Sequence, residues 1–77
     1  MMVKVYSAPG CPWCSAVKNF LKEHNIAFEE IDVSDPKNAE EFIKKTGQMS
    51  VPVIDIDGEL VIGFDQQKLK EKLDIYE

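Results

Sequence analysis

One local constraint dominates this chain: Cys11-Pro12-Trp13-Cys14 lies between a short β-branched run and a helical stripe. Val3, Val5 and Tyr6 read as a strand over about residues 2–6. Ala16, Val17, Phe20 and Leu21 recur at helical spacing and predict a helix from Pro12 to about His24, ending near Asn25. Pro12 is pre-organised for the first helical position, where its missing N–H costs nothing. Cys11 therefore falls at the N-cap, Trp13 at N2 and Cys14 at N3. An N-cap side chain accepts hydrogen bonds from the N–H groups of N2 and N3, so Trp13 and Cys14 are placed to stabilise a Cys11 thiolate. The positive end of the helix dipole acts in the same direction. In such settings a cysteine pKa falls from about 8.5 to roughly 3.5–7.5. Cys14 lies one turn deeper on the same face, as N-cap and N3 residues do in a capping box. The geometry predicts unequal roles, with Cys11 attacking and Cys14 resolving.

No other cysteine is present. A tetrahedral zinc site needs four ligands, and the single histidine, His24, sits at the far end of the first helix. A structural staple is equally poor, because a loop this small removes little chain entropy. Reversible dithiol–disulfide exchange is the assignment the motif supports at a strand-to-helix junction within a βαβ pattern. A reactive thiol pair without further cysteines fits the reducing cytoplasm. No apolar run reaches transmembrane length, and residues 1–6 contain neither a long apolar core nor a small-residue cleavage site.

The remainder reads as alternating elements in one domain, residues 1–77. Residues 27–33 form a second strand. Asp35-Pro36 supplies an N-cap and first helical residue, and the helix that follows buries Ala39, Phe42 and Ile43. Glu40/Lys44 and Glu41/Lys45 form i,i+4 pairs on its other face, and Gly47 stops it. Val51 to Ile56 gives a third strand, Asp57-Gly58 a hairpin turn, and Glu59 to Ile62 the returning strand. Gly63 breaks the pattern, Asp65 caps, and a last helix buries Leu69, Leu73 and Tyr76. The order is β-α-β-α-β-β-α: an α/β fold with a four-stranded mixed sheet flanked by three helices, its first two strands parallel. With fourteen acidic residues, nine lysines and no arginine, the net charge of −5 disfavours nucleic-acid binding.

On this order and the Cys11-Pro12-Trp13-Cys14 motif, the chain resembles the glutaredoxins of the thioredoxin superfamily, along essentially its whole length. The Gly47-Gln48-Met49-Ser50-Val51-Pro52-Val53 and Gly63-Phe64-Asp65 segments carry the resemblance further, toward short microbial glutaredoxin-like proteins and NrdH-redoxins. It implies a glutaredoxin-like thiol–disulfide oxidoreductase, monomeric, reducing protein disulfides or glutathione mixed disulfides at a potential of roughly −200 to −270 mV. It implies a cis Pro52 facing the cysteines, with the Val51 backbone pairing to an extended substrate. It also implies a substrate or glutathione site of Trp13, Gln48, Val51, Pro52, Gly63, Phe64 and Asp65. Tyr6 is assigned to core packing.

The departures bear on the partner. Glutathione-using glutaredoxins usually have Lys or Arg where this chain has Ala8, and many carry a Gly-Gly-x-Asp-Asp type segment where it has Ile62-Gly63-Phe64-Asp65-Gln66. Glutathione therefore stands as a co-substrate to be tested rather than a tightly bound cofactor. Gly63-Phe64 resembles the NrdH-redoxins, which take electrons from thioredoxin reductase and pass them to ribonucleotide reductase. An alternative of another class is an iron–sulfur cluster or metal carrier, for which one chain supplies too few thiolates.

Overall fold

Proline-led helix starts and a glycine-bearing hairpin set the element order. In a computed structural model, which describes residues 2–47 and 50–73, the chain runs β1 (Val3–Ser7), α1 (Pro12–Glu23), β2 (Glu29–Asp32), α2 (Pro36–Thr46), β3 (Val53–Ile56), β4 (Glu59–Ile62) and α3 (Gln66–Leu73). This is the expected β-α-β-α-β-β-α order. Gln48 and Tyr76 lie outside the described residues. No described helix is long and apolar enough to cross a membrane.

The strands form one sheet in the order β2-β1-β3-β4. β1 and β2 are parallel, with Tyr6 opposite Ile31. β1 pairs antiparallel with β3, and β3 with β4. Side chains alternate between the two faces along each strand, and the faces bury different sets. Val3, Val5, Ile54, Ile56 and Val61 meet Val17, Phe20 and Leu21 of α1 and Leu69 and Leu73 of α3. Tyr6 and Val53 meet Phe42 of α2 on the other face, with Ile31, Val33, Val51 and Leu60 around them. Two helices thus cover one face and one helix the other.

Four expectations need correction. β2 is shorter than residues 27–33, because this outer strand is held only by β1. β3 begins at Val53, after the cis Val51–Pro52 bond, because Pro52 has no N–H for a ladder. α1 ends one residue early: His24 is the C-cap, and Asn25 follows in the left-handed region at φ 58°. In α2 only Phe42 is fully buried, while Ile43 is 40% exposed and solvent-facing.

The pairing on α2 also differs. Lys44 reaches Glu40 at 3.2 Å as expected. Lys45 instead crosses to the sheet, donating to Asp55 and to the Tyr6 hydroxyl (3.2 Å). Asp55 is buried and also accepts the Gly58 N–H at 2.8 Å. Burial pushes the Asp55 carboxyl up, but Lys45 and the Gly58 N–H outweigh it, and its pKa stands below the ordinary value. Tyr6 packs on Phe42 with ring centroids 5.1 Å apart, the core role expected for it.

Candidate active site

β1 delivers the chain at Ser7 into a tight loop, in which Gly10 takes φ 77°, a conformation that favours glycine. The loop ends at Cys11, whose extended backbone (φ −92°, ψ 106°) makes it the N-cap of α1, with Pro12 at the first helical position. The Cys14 N–H donates to Cys11 Sγ at 3.1 Å, and the Ser15 N–H donates to the Cys11 carbonyl at 3.3 Å. Cys11 and Cys14 are joined as a disulfide with Cα atoms 5.3 Å apart. Cys11 is partly exposed, whereas Cys14 is 1% exposed. Their environments therefore differ as their positions in the helix predict.

Trp13, the residue between Pro12 and Cys14, walls an apolar cleft of about 280 Å3 that Val51, Pro52, Gly63 and Phe64 also line. Trp13 is 62% exposed and stands over Phe64 with centroids 6.2 Å apart. Phe64 in turn meets Phe20 edge-on at 5.9 Å, which anchors this wall to the α1 core. The Gly63 N–H donates to the Pro52 carbonyl at 2.8 Å, tying the cis-proline segment to the segment that precedes α3. Five of the seven residues assigned to substrate contact thus share one cleft. Asp65 serves as the cap of α3: its carboxylate accepts the Lys68 N–H at 3.2 Å and its carbonyl the Leu69 N–H at 3.0 Å.

A second cavity, of about 330 Å3, opens beside the cysteines, between the β1–α1 loop and β2. Both Cys11 and Cys14 line it, with Ala8, Ser7, Lys18 and Glu30 among its other walls. Ser7 is buried, and its hydroxyl donates to Glu30 Oε2 at 2.9 Å. Lys18 donates to the same oxygen at 2.7 Å. These two bonds hold the Glu30 carboxyl below the ordinary carboxylate range. Ser7, Lys18 and Glu30 escaped the sequence reading. One signal was available: Lys18 follows Cys14 by four residues, so both lie on one helix face. The parallel register that sets Val5 against Glu30 and Ser7 against Asp32 had no such local mark.

A disulfide-forming Cys-x-x-Cys at a helix N-terminus, one sulfur accessible and one enclosed, can cycle between dithiol and disulfide. Comparison with known proteins agrees. The Glutaredoxin family model matches residues 3–61. The uncharacterised glutaredoxin-like 8.6 kDa protein of the rubredoxin operon of Clostridium pasteurianum is 40% identical over 95% of this chain and 99% of its own. The glutaredoxin-like protein NrdH of Lactococcus lactis subsp. lactis is 38% identical over 88% of this chain and 94% of its own. Among solved structures, a point variant of the thioredoxin-like protein BC3987 superposes with a TM-score of 0.90 at 41% identity, covering 96% of each chain. Sequence, fold and cysteine geometry together place this chain in the glutaredoxin family, as a thiol–disulfide oxidoreductase.

Proposed function

We propose that this protein reduces disulfides carried on protein segments, with Cys11 as nucleophile and Cys14 as resolver. The asymmetry of the pair carries this reading: Cys11 is the partly exposed N-cap, and Cys14 is enclosed behind it. A Cys11 thiolate attacks one sulfur of the substrate disulfide, the other sulfur leaves as a thiolate, and a mixed disulfide forms on Cys11. Cys14 then attacks Cys11 Sγ, closes the internal disulfide and expels the remaining substrate sulfur. Two electrons pass from the dithiol to the substrate, and an external reductant restores the pair.

The apolar cleft receives the chain around the substrate sulfur. Trp13 and Phe64 offer apolar contact, and an extended segment runs beside Val51 and Pro52 in a short strand-like pairing. Glutathione would bring two carboxylates and an ammonium to a cleft lined by neutral side chains, which makes it the weaker ligand. Asp65, one of the residues assigned to the substrate or glutathione site, accepts the Lys68 N–H as the cap of α3. Gln48 remains a sequence assignment. The protein acts as a single-domain cytoplasmic monomer in this reading.

The Gly63-Phe64 segment, which resembles that of the NrdH-redoxins, favours thioredoxin reductase as the reductant, and the similarity to an NrdH protein over 94% of its length supports that resemblance. A coupled NADPH assay on a protein disulfide tests this, offering thioredoxin reductase in one arm and glutathione with its reductase in the other. Turnover is expected with thioredoxin reductase. Turnover with glutathione alone contradicts the partner, and failure in both arms contradicts the reductase reading.

A further inference from the structure

Cys14 must become a thiolate in an enclosed place. Burial disfavours the charged form of a thiol, and Cys14 is 1% exposed. The resolving step nonetheless needs its sulfur ionised. The polar cavity beside the pair is one place where Cys14 meets charge. The charged and titratable groups around that cavity, besides Cys14 itself, are Cys11 at the cap of α1, Lys18 of α1, and Glu30 and Asp32 of β2; β1 contributes the neutral Ser7. Toward α3, Asp65 is bound to the Lys68 N–H, and the apolar cleft is lined by uncharged residues.

Lys18 stands one helical turn beyond Cys14 on the same face. It is fixed there by Glu30 at 2.7 Å, which the Ser7 hydroxyl fixes in turn at 2.9 Å. The network joins α1, β1 and β2 at the wall that Cys14 shares. Asp32, whose Oδ1 accepts the Ser34 N–H and hydroxyl at 2.8 and 2.6 Å, is a second anion lining the same cavity and opposes the thiolate alike whichever residue stands at 18 or 30. A nearby cation favours a thiolate and a nearby anion opposes it.

We propose that the Lys18–Glu30 pair sets how readily Cys14 ionises. Lys18 supplies the favouring charge, and Glu30 is a positioning residue that holds Lys18 in place while cancelling part of its field. This deepens the reading of Cys14 as resolver and rests on it. In the step, the Cys14 S–H proton passes to solvent water entering the cavity. The resulting thiolate attacks Cys11 Sγ, and the Cys11–Cys14 bond forms. The bond from Cys11 to the substrate sulfur breaks, and that sulfur leaves with the electron pair and takes a proton from solvent.

The test isolates Cys14 as the single thiol in a Cys11→Ser background and follows its thiolate ultraviolet absorbance against pH. Lys18→Met raises the Cys14 pKa by about half a unit, and Glu30→Gln lowers it by about as much, since the ammonium field is then uncancelled. Lys18→Arg, which keeps the charge, stays near the parent. A corner that is merely loosened moves the Met and Gln variants the same way, so opposite signs mark the electrostatic role. Shifts of the same sign, or no shift in either variant, overturn the proposal. The resolver reading fails separately, if a Cys14→Ser protein does not retain substrate on Cys11.

Discussion

Replacing Lys45 with methionine keeps the aliphatic stem and removes the charge that faces Asp55. Asp55 is 5% exposed, and without Lys45 it keeps the Gly58 N–H at 2.8 Å and Lys4 opposite it on β1. Breaking a fully buried ion pair on one side costs about 3–5 kcal/mol. The Lys45 side chain is 37% exposed, so solvent already screens part of the pair, and about 2 kcal/mol is the expected loss. A chain of 77 residues has a total stability of about 4–12 kcal/mol. The midpoint of thermal unfolding should therefore fall by about 8–16 °C. The pH dependence gives a second reading. The Asp55 pKa is depressed in the folded protein, so its contribution is present above the unfolded value of 3.8 and is lost as pH falls through the folded value. The Lys45 pKa is raised, chiefly by its hydrogen bond to Asp55, so its contribution holds below 10.5 and is lost as pH rises through the folded value. Urea unfolding of the wild type and Lys45→Met, followed by far-ultraviolet circular dichroism, should show the gap narrowing in acid. A loss under about 0.5 kcal/mol at neutral pH, or a gap that widens in acid, would refute the reasoning.

Two further outcomes follow from the geometry. Phe64→Ala removes a wall of the apolar cleft and its contacts with Trp13 and Phe20, costing about 2 kcal/mol of stability. In the folded protein it should raise KM for a protein disulfide several-fold while alkylation of Cys11 by a small reagent keeps its rate; equal KM values would dissociate the cleft from substrate binding. Asp35→Ala removes the cap that accepts the Lys37 N–H at 3.0 Å and should cost about 1 kcal/mol in denaturant unfolding, whereas Asp35→Asn should cost much less.

The cysteine site was readable from sequence because its determinants are local. Pro12 fixes the first turn of α1, and that alone puts Cys11 at the cap and Cys14 inside. Asp35-Pro36 set the start of α2 in the same way. Asp57 and Gly58, both at positive φ, close the hairpin that their sequence announces. What stayed hidden depends on contacts between elements. Lys45 was read as the partner of Glu41, four residues away, because nothing in the sequence marks Asp55 as a buried carboxylate within reach of α2. The outward face of Ile43 reflects how α2 sits against Tyr6 and Val53, with Phe42 taking the buried position. The Ser7–Glu30–Lys18 network needs the parallel register of β1 and β2 before its members become neighbours.

The most direct measurement of the central claim is mass mapping of trapped intermediates. Cys14→Ser and Cys11→Ser proteins, fully reduced, are mixed with a protein disulfide, quenched with acid and digested. With Cys11 as nucleophile and Cys14 as resolver, Cys14→Ser accumulates substrate on Cys11, Cys11→Ser accumulates none, and the wild type shows the Cys11–Cys14 disulfide with free substrate thiols. Substrate held on Cys14 of the Cys11→Ser protein, formed as fast as the adduct on Cys11, would contradict the account.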